Sequence, residues 1–156
     1  MLRWNAKPFL LLLVISLVLS SIVTAQDFYL CTRVIDGDTI AVEKNGKKEK
    51  VRLIGVDTPE TVHPSKPVEY FGKEASEFTR KKVEGKRVNL EYDRQSRDKY
   101  GRLLAYVYIE DGTFLNAEII RQGYGFAYTR YPFKYLDDFR QYEREAREND
   151  RGLWGR

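Results

Sequence analysis

Hydrophobic positions divide the chain into three regimes, and each predicts a different kind of structure. The first is an apolar run over 9–23 (FLLLLVISLVLSSIV), preceded by Arg3 and Lys7 and running into the small or compact residues Val23-Thr24-Ala25. A basic start, a short apolar centre and a small-residue exit form the pattern of a secretory signal peptide. Residues 1–25 are therefore expected to be a leader, and 26–156 the mature domain. The alternative is an uncleaved membrane anchor over 9–25, although that stretch is shorter than the ~20 apolar residues that span a bilayer.

The second regime has the period of strands. Residues 28–35 are rich in β-branched and aromatic side chains, and 39–44 and 48–56 flank Asn45-Gly46, a strong hairpin signal. Pro59, Pro64 and Pro67 turn 58–68 into a loop. Further on, 87–92 (RVNLEY) alternates with period two and 103–110 (LLAYVYIE) runs up to Asp111-Gly112, with a polar loop over 93–101 between them.

The third regime has helical spacing. Phe71, Ala75 and Phe78 share one face, Arg80-Lys81-Lys82 complement a C-terminal dipole, and Gly85 is a stop. A short helix is predicted over 115–122, closed by Gly123, and a longer one over 135–149, with Leu136, Phe139 and Ala146 on its apolar face. No repeat or linker interrupts 26–156. Five strands and three α-helices predict a single α+β domain built on a small antiparallel barrel. A five-stranded OB-fold β-barrel is the natural candidate because closure removes exposed edges; periodicity alone does not select it over other α+β folds.

Composition narrows the chemistry. Among 156 residues there are 27 Lys+Arg, 23 Asp+Glu, one His and one Cys, for a formal net charge of +4. With only His63 and Cys31, a two-histidine acid/base pair, a Cys/His zinc site and an internal disulfide are all excluded. Two of the four excess positive charges, Arg3 and Lys7, belong to the expected leader, so the mature domain is only weakly basic. A catalytic site here has to be built from carboxylates, Arg, Lys and Tyr.

Two stretches hold such residues. The first is VIDGDTIAVEKNGKKEKVRLIGVDTPE over 34–60, which sets Asp36, Asp38, Asp57 and Glu60 around a hairpin that doubles back. Carboxylates with a threonine and no histidine make an all-oxygen site suited to Ca²⁺ or Mg²⁺. Taken separately, Asp36-Gly37 also suits an ordinary turn, and Thr58-Pro59 with Glu60 an ordinary helix start. Arg52 shifts that balance, because an arginine among Val51, Leu53 and Ile54 needs an acidic or phosphate partner. Strict alternation puts Arg52 and Asp57 on opposite faces, so they share a site only if the strand bends, and Gly55 is the expected place.

The second stretch is Asp98-Lys99-Tyr100-Gly101-Arg102, a turn that offers cations for phosphate and an aromatic face for stacking; alone, it also suits a solvated turn with an extended Arg. Of the aromatic cluster Tyr124, Phe126, Tyr128, Tyr131, Phe133 and Tyr135, most members are expected to pack, with Tyr128 the best exception.

Together the two stretches resemble the thermonuclease family, of the staphylococcal nuclease type. Its first signature is matched by DGDT at 36–39, apolar Ile40 and Val42, and R-L-x-x-V-D-x-P-E at 52–60; its second, D-K-Y-G-R-x-L-A-x-V-Y, by 98–108. The resemblance covers about 32–154 and implies an OB-fold barrel with three helices and a Ca²⁺-dependent phosphodiesterase that cuts DNA and RNA to leave 3′-phosphate ends. It assigns Asp38, Asp57 and the Thr58 carbonyl to the metal, Arg52 and Arg102 to the phosphate, Glu60 as general base, and Lys99, Tyr100 and Tyr128 to the nucleotide. Asp36 belongs to the motif without being a direct ligand. One departure is visible: the family places two tyrosines two apart, whereas here Tyr128 is followed by Thr129, Arg130 and Tyr131. The domain is read as a monomer with no obligate protein partner. The competing reading is a non-catalytic OB-type nucleic-acid-binding module, against which stand the retained Asp38, Asp57 and Glu60 and the weak positive field.

Overall fold

The computed structural model describes residues 27–62, 65 and 67–155. The leader expected over 1–25 lies outside the described residues, as does His63.

Five strands close a barrel: β1 (Phe28–Asp36), β2 (Thr39–Lys44), β3 (Lys47–Leu53), β5 (Arg87–Glu91) and β6 (Leu103–Ile109), in the order β1-β2-β3-β6-β5. Two further two-residue strands, β4 (Val56–Asp57) and β7 (Phe126–Ala127), pair with each other. The helices are α1 (Gly72–Val83), α2 (Leu115–Arg121) and α3 (Leu136–Glu148), followed by one 3₁₀ turn over Gly152–Trp154. This is the expected α+β OB-type barrel with three helices.

Alternation sorts the barrel. Val51 and Leu53 of β3, and Leu103, Ala105, Val107 and Ile109 of β6, point into the core with Ile40, Val42, Val56 and Val88. Each fully buried Val, Leu or Ile side chain contributes about 1.5–3 kcal/mol relative to exposure. Arg52 and Leu104, in register across β3 and β6, take the opposite face. Helix α2 covers one end with Leu115, Ile119 and Ile120, and Phe139 of α3 is fully buried against Phe114, Phe133, Tyr135 and Tyr142.

Three details depart from the sequence pattern. The barrel is not wholly antiparallel: β3 and β6 run parallel, Val51 opposite Leu103 and Leu53 opposite Ala105. The closure makes this necessary, because β5 and β6 form a hairpin that enters after the α1 crossover. The stretch expected as one strand over 48–56 is broken at Ile54-Gly55 into β3 and β4, where Gly55 takes φ +73°. Phe71 caps α1 in a left-handed conformation instead of belonging to the helix, and its ring packs on Tyr124.

Candidate active site

The site grows from the β1–β2 turn and the broken end of β3. Register shifts between Val34 and Asp36, so the end of β1 is re-aimed, and the turn Gly37-Asp38 follows. A Cβ on Gly37 would lie 2.7 Å from Thr58 Oγ1, so the close approach of this turn to Thr58 requires glycine. Asp36 is buried and accepts hydrogen bonds from Gly37 N–H (2.9 Å), Thr61 Oγ1 (2.7 Å) and Ser76 Oγ (3.0 Å). It therefore fastens the Glu60-Thr61 segment to α1. Asp38 accepts from Thr39 Oγ1 at 2.9 Å and from Thr58 N–H at 3.1 Å.

Arg52 joins the two halves. Its Nη2 lies 3.1 Å from Asp38 Oδ2 and 3.1 Å from Asp57 Oδ1, while Nη1 donates to the carbonyls of Leu53 and Val56. The turn at Gly55 is what brings Arg52 and Asp57 to one side. Asn116 locks that turn, donating to Ile54 O (2.9 Å) while accepting Val107 N–H (2.9 Å). The β4–β7 pair then sets Asp57 opposite Phe126, and Tyr128 N–H donates to Gly55 O at 2.9 Å, which delivers Tyr128 to the same edge.

Asp36, Asp38, Arg52, Asp57, Thr58, Glu60 and Arg102 line one cavity of about 450 Å³. Arg52, Asp57 and Arg102 also border a second, of about 640 Å³, with Lys99, Tyr100, Tyr128 and Tyr131 on its walls. All nine residues expected at the site thus fall on two adjoining clefts.

Arg102 is aimed by Asp98, whose carboxylate accepts from its Nε at 2.7 Å and its N–H at 3.0 Å, and its guanidinium lies 5.5 Å from the Tyr100 ring centre. Tyr128 and Tyr131 have ring centres 6.2 Å apart, and both line the same cleft. The other aromatics of that cluster pack: Tyr124 stacks on Phe78, and Phe126 meets Trp154 edge-on.

The carboxylates repel one another. Burial pushes the Asp57 carboxyl above its ordinary value despite Arg52, and Asp38, Glu69 and Asp36 add to the rise. Glu60 accepts the Val62 N–H at 2.8 Å, which draws its pKa down, but burial and the fields of Asp36 and Asp38 outweigh this and leave it raised. Such unrelieved negative charge is where a cation is favoured. Among the described residues no three His, Cys, Asp or Glu side chains gather as a closed cage. The oxygen donors present, the carboxylates of Asp38 and Asp57 and the Thr58 carbonyl, are of the chemical kind that suits a hard dication.

Polar residues lining the first cavity beyond those nine include Asp36, Thr39, Lys50 and Glu69, the last accepting Glu60 N–H at 3.0 Å. Lys50 was legible, since period two sets it on the face of Arg52, and so was Asp98, four residues before Arg102. Glu69 carries no sequence signal, because it arrives through the irregular loop before α1.

Comparison with known proteins bears on the same domain. A family model for staphylococcal nuclease homologues matches residues 50–156. The chain is 50% identical over 129 residues to the thermonuclease of Staphylococcus intermedius, covering 82% of this chain and 76% of that protein. It is 45% identical over 130 residues to the thermonuclease of Staphylococcus hyicus, covering 83% and 76%. With endonuclease YncB of Bacillus subtilis (strain 168) the identity is 44% over 127 residues, 80% of this chain and 60% of that protein. The barrel, the paired clefts and these relatives agree, and the chain belongs to the staphylococcal nuclease family of nucleases.

Proposed function

We propose that this protein is a secreted, calcium-dependent phosphodiesterase that hydrolyses DNA and RNA and leaves 3′-phosphate ends. The observation that carries the reading is Arg52 bridging Asp38 and Asp57, each at 3.1 Å, on a cavity shared with Glu60 and Arg102. Secretion rests on the leader pattern over 1–25.

When bound, Ca²⁺ supplies charge neutralisation and orientation of the phosphodiester. Asp38, Asp57 and the Thr58 carbonyl would hold it. Arg52 and Arg102, which line both clefts, bind the non-bridging oxygens. They are held ready by Asp38, Asp57 and Asp98, so little reorganisation is needed as charge builds on the phosphorus. Glu60 takes a proton from the attacking water, and its raised pKa makes it a better base than an exposed glutamate. The new P–O bond forms as the bond to the 5′ oxygen breaks, and that oxygen leaves as a hydroxyl after gaining a proton from solvent. Tyr100, Tyr128 and Lys99 hold the nucleotide in the second cleft, the rings by stacking and the ammonium by charge.

The test is degradation of heat-denatured DNA with Ca²⁺, with chelator, and with Glu60→Gln. Cleavage that needs Ca²⁺ and Glu60 is the expected result. Cleavage indifferent to chelator would overturn the calcium assignment, and tight binding without cleavage would make the domain a binding module.

A further inference from the structure

Lys50 lines the phosphate cavity, and neither the assigned site nor the fold requires it there. It lies two residues before Arg52 on β3, on the same face and about 6.5 Å away along the strand. The other cations of the cavity are committed: Arg52 to Asp38 and Asp57, and Arg102 to Asp98. Lys50 is exposed, and among the described residues no ion pair or hydrogen bond engages its ammonium. Its cross-strand neighbour on β2 is Ala41, so no acid stands opposite, whereas the next lysine on the face, Lys48, is opposite Glu43. A cation held at a cavity full of carboxylates without pairing to them is placed to meet an anion that arrives with the substrate.

We propose that Lys50 is a second phosphate-binding position, taking the phosphate next to the scissile one and so favouring polynucleotides over mononucleotides. This rests on the nuclease reading. The reason is geometric: Arg52 and Arg102 hold one phosphate at the junction of the clefts, and the outward face of β3 leads away from them. One strand step of two residues is of the order of the spacing between successive phosphates of an extended chain. An ammonium on a flexible stem serves such a non-reacting contact well, since it needs charge and reach more than fixed geometry.

Lys50→Ala and Lys50→Glu are compared with the unsubstituted protein and with Lys48→Ala. Binding of a fluorescein-labelled oligothymidylate is followed in EDTA between about 50 and 200 mM salt, where each lost phosphate contact lowers the slope of log K against log salt by about 0.7. With Ca²⁺, kcat/KM is measured on heat-denatured DNA and on a mononucleotide p-nitrophenyl phosphodiester. The expected result is a slope lowered by about 0.7 for Lys50→Ala, and a severalfold fall in the ratio of polymer to mononucleotide kcat/KM. Both effects are larger with Lys50→Glu and smaller with Lys48→Ala. An unchanged slope and ratio would overturn the proposal, as would equal losses on both substrates, which would place Lys50 at the scissile phosphate. A parent protein that neither binds the oligonucleotide nor cuts DNA would overturn the nuclease reading instead.

Discussion

Arg52 shows what one side chain does here. Its guanidinium faces two carboxylates and two carbonyls, so it is already oriented when substrate enters. Arg52→Gly or Arg102→Gly is expected to lose about 3 kcal/mol or more of transition-state stabilisation, read as the fall in kcat/KM on denatured DNA; near-normal turnover in either variant would remove that arginine from the chemistry. Asp57 carries the opposite sign for stability. Its carboxyl binds a proton more tightly in the folded protein than at its ordinary value of 3.8, chiefly through burial. The associated stability is full below 3.8 and is lost as pH rises through the folded value. Asp57→Asn is therefore expected to melt no lower than the parent near neutral pH in chelator, with the difference closing toward acid. Ca²⁺ is expected to raise the Tm of the parent and not that of this variant. A lower Tm in chelator would mean that the pairing with Arg52 outweighs the burial. The need of Arg52 for an anionic partner was legible from its apolar neighbours. Which carboxylates serve it was not, because period two alone sets Asp57 on the far side.

Elements decide that question. The turn at Ile54-Gly55 reverses the parity of the strand, and a Cβ at Gly55 would sit 2.6 Å from the Phe133 ring in addition to requiring φ +73°. Gly55→Ala is expected to cost more than about 1 kcal/mol in urea unfolding and to lower activity further than its stability loss explains. Full activity at unchanged stability would show that the turn tolerates a side chain and does not set the Arg52–Asp57 pairing. The loop carrying Lys99 and Tyr100 has its own fastening. Arg97 pairs with Glu49 of β3 through two hydrogen bonds of 3.0 and 2.9 Å and donates to Gly101 O at 2.7 Å. An exposed pair contributes little to stability. Arg97→Ala should accordingly leave the midpoint in urea almost unmoved while raising KM for denatured DNA with kcat little changed. A change confined to kcat would contradict a positioning role. Five strands and three helices were legible from periodicity. Missing from that pattern was β7, because two residues have no period, and its partner β4 read as the end of a longer strand.

At the scale of the whole molecule, the C-terminal helix connects the core to the site. Phe139 is fully buried, and its ring touches Phe133, the same ring that limits Gly55. Phe139→Ala is expected to cost about 3–5 kcal/mol, a large part of the roughly 5–15 kcal/mol that such domains have, measured by urea unfolding. A loss under about 1 kcal/mol would mean that the helix closes over the gap. The amino-acid sequence by itself determined the five barrel strands and three helices, the identity of the carboxylates and arginines, and the exclusion of a two-histidine acid/base pair, a Cys/His zinc site and an internal disulfide. These follow from local periodicity and from which residue types are present. Only the tertiary structure decided the parallel β3–β6 contact, the arrival of Tyr128 and Tyr131 at one cleft, and the convergence of Asp38 and Asp57 on Arg52. Those depend on closure of the barrel and on one residue with positive φ, and pairings between distant segments leave no periodic trace in the segments themselves.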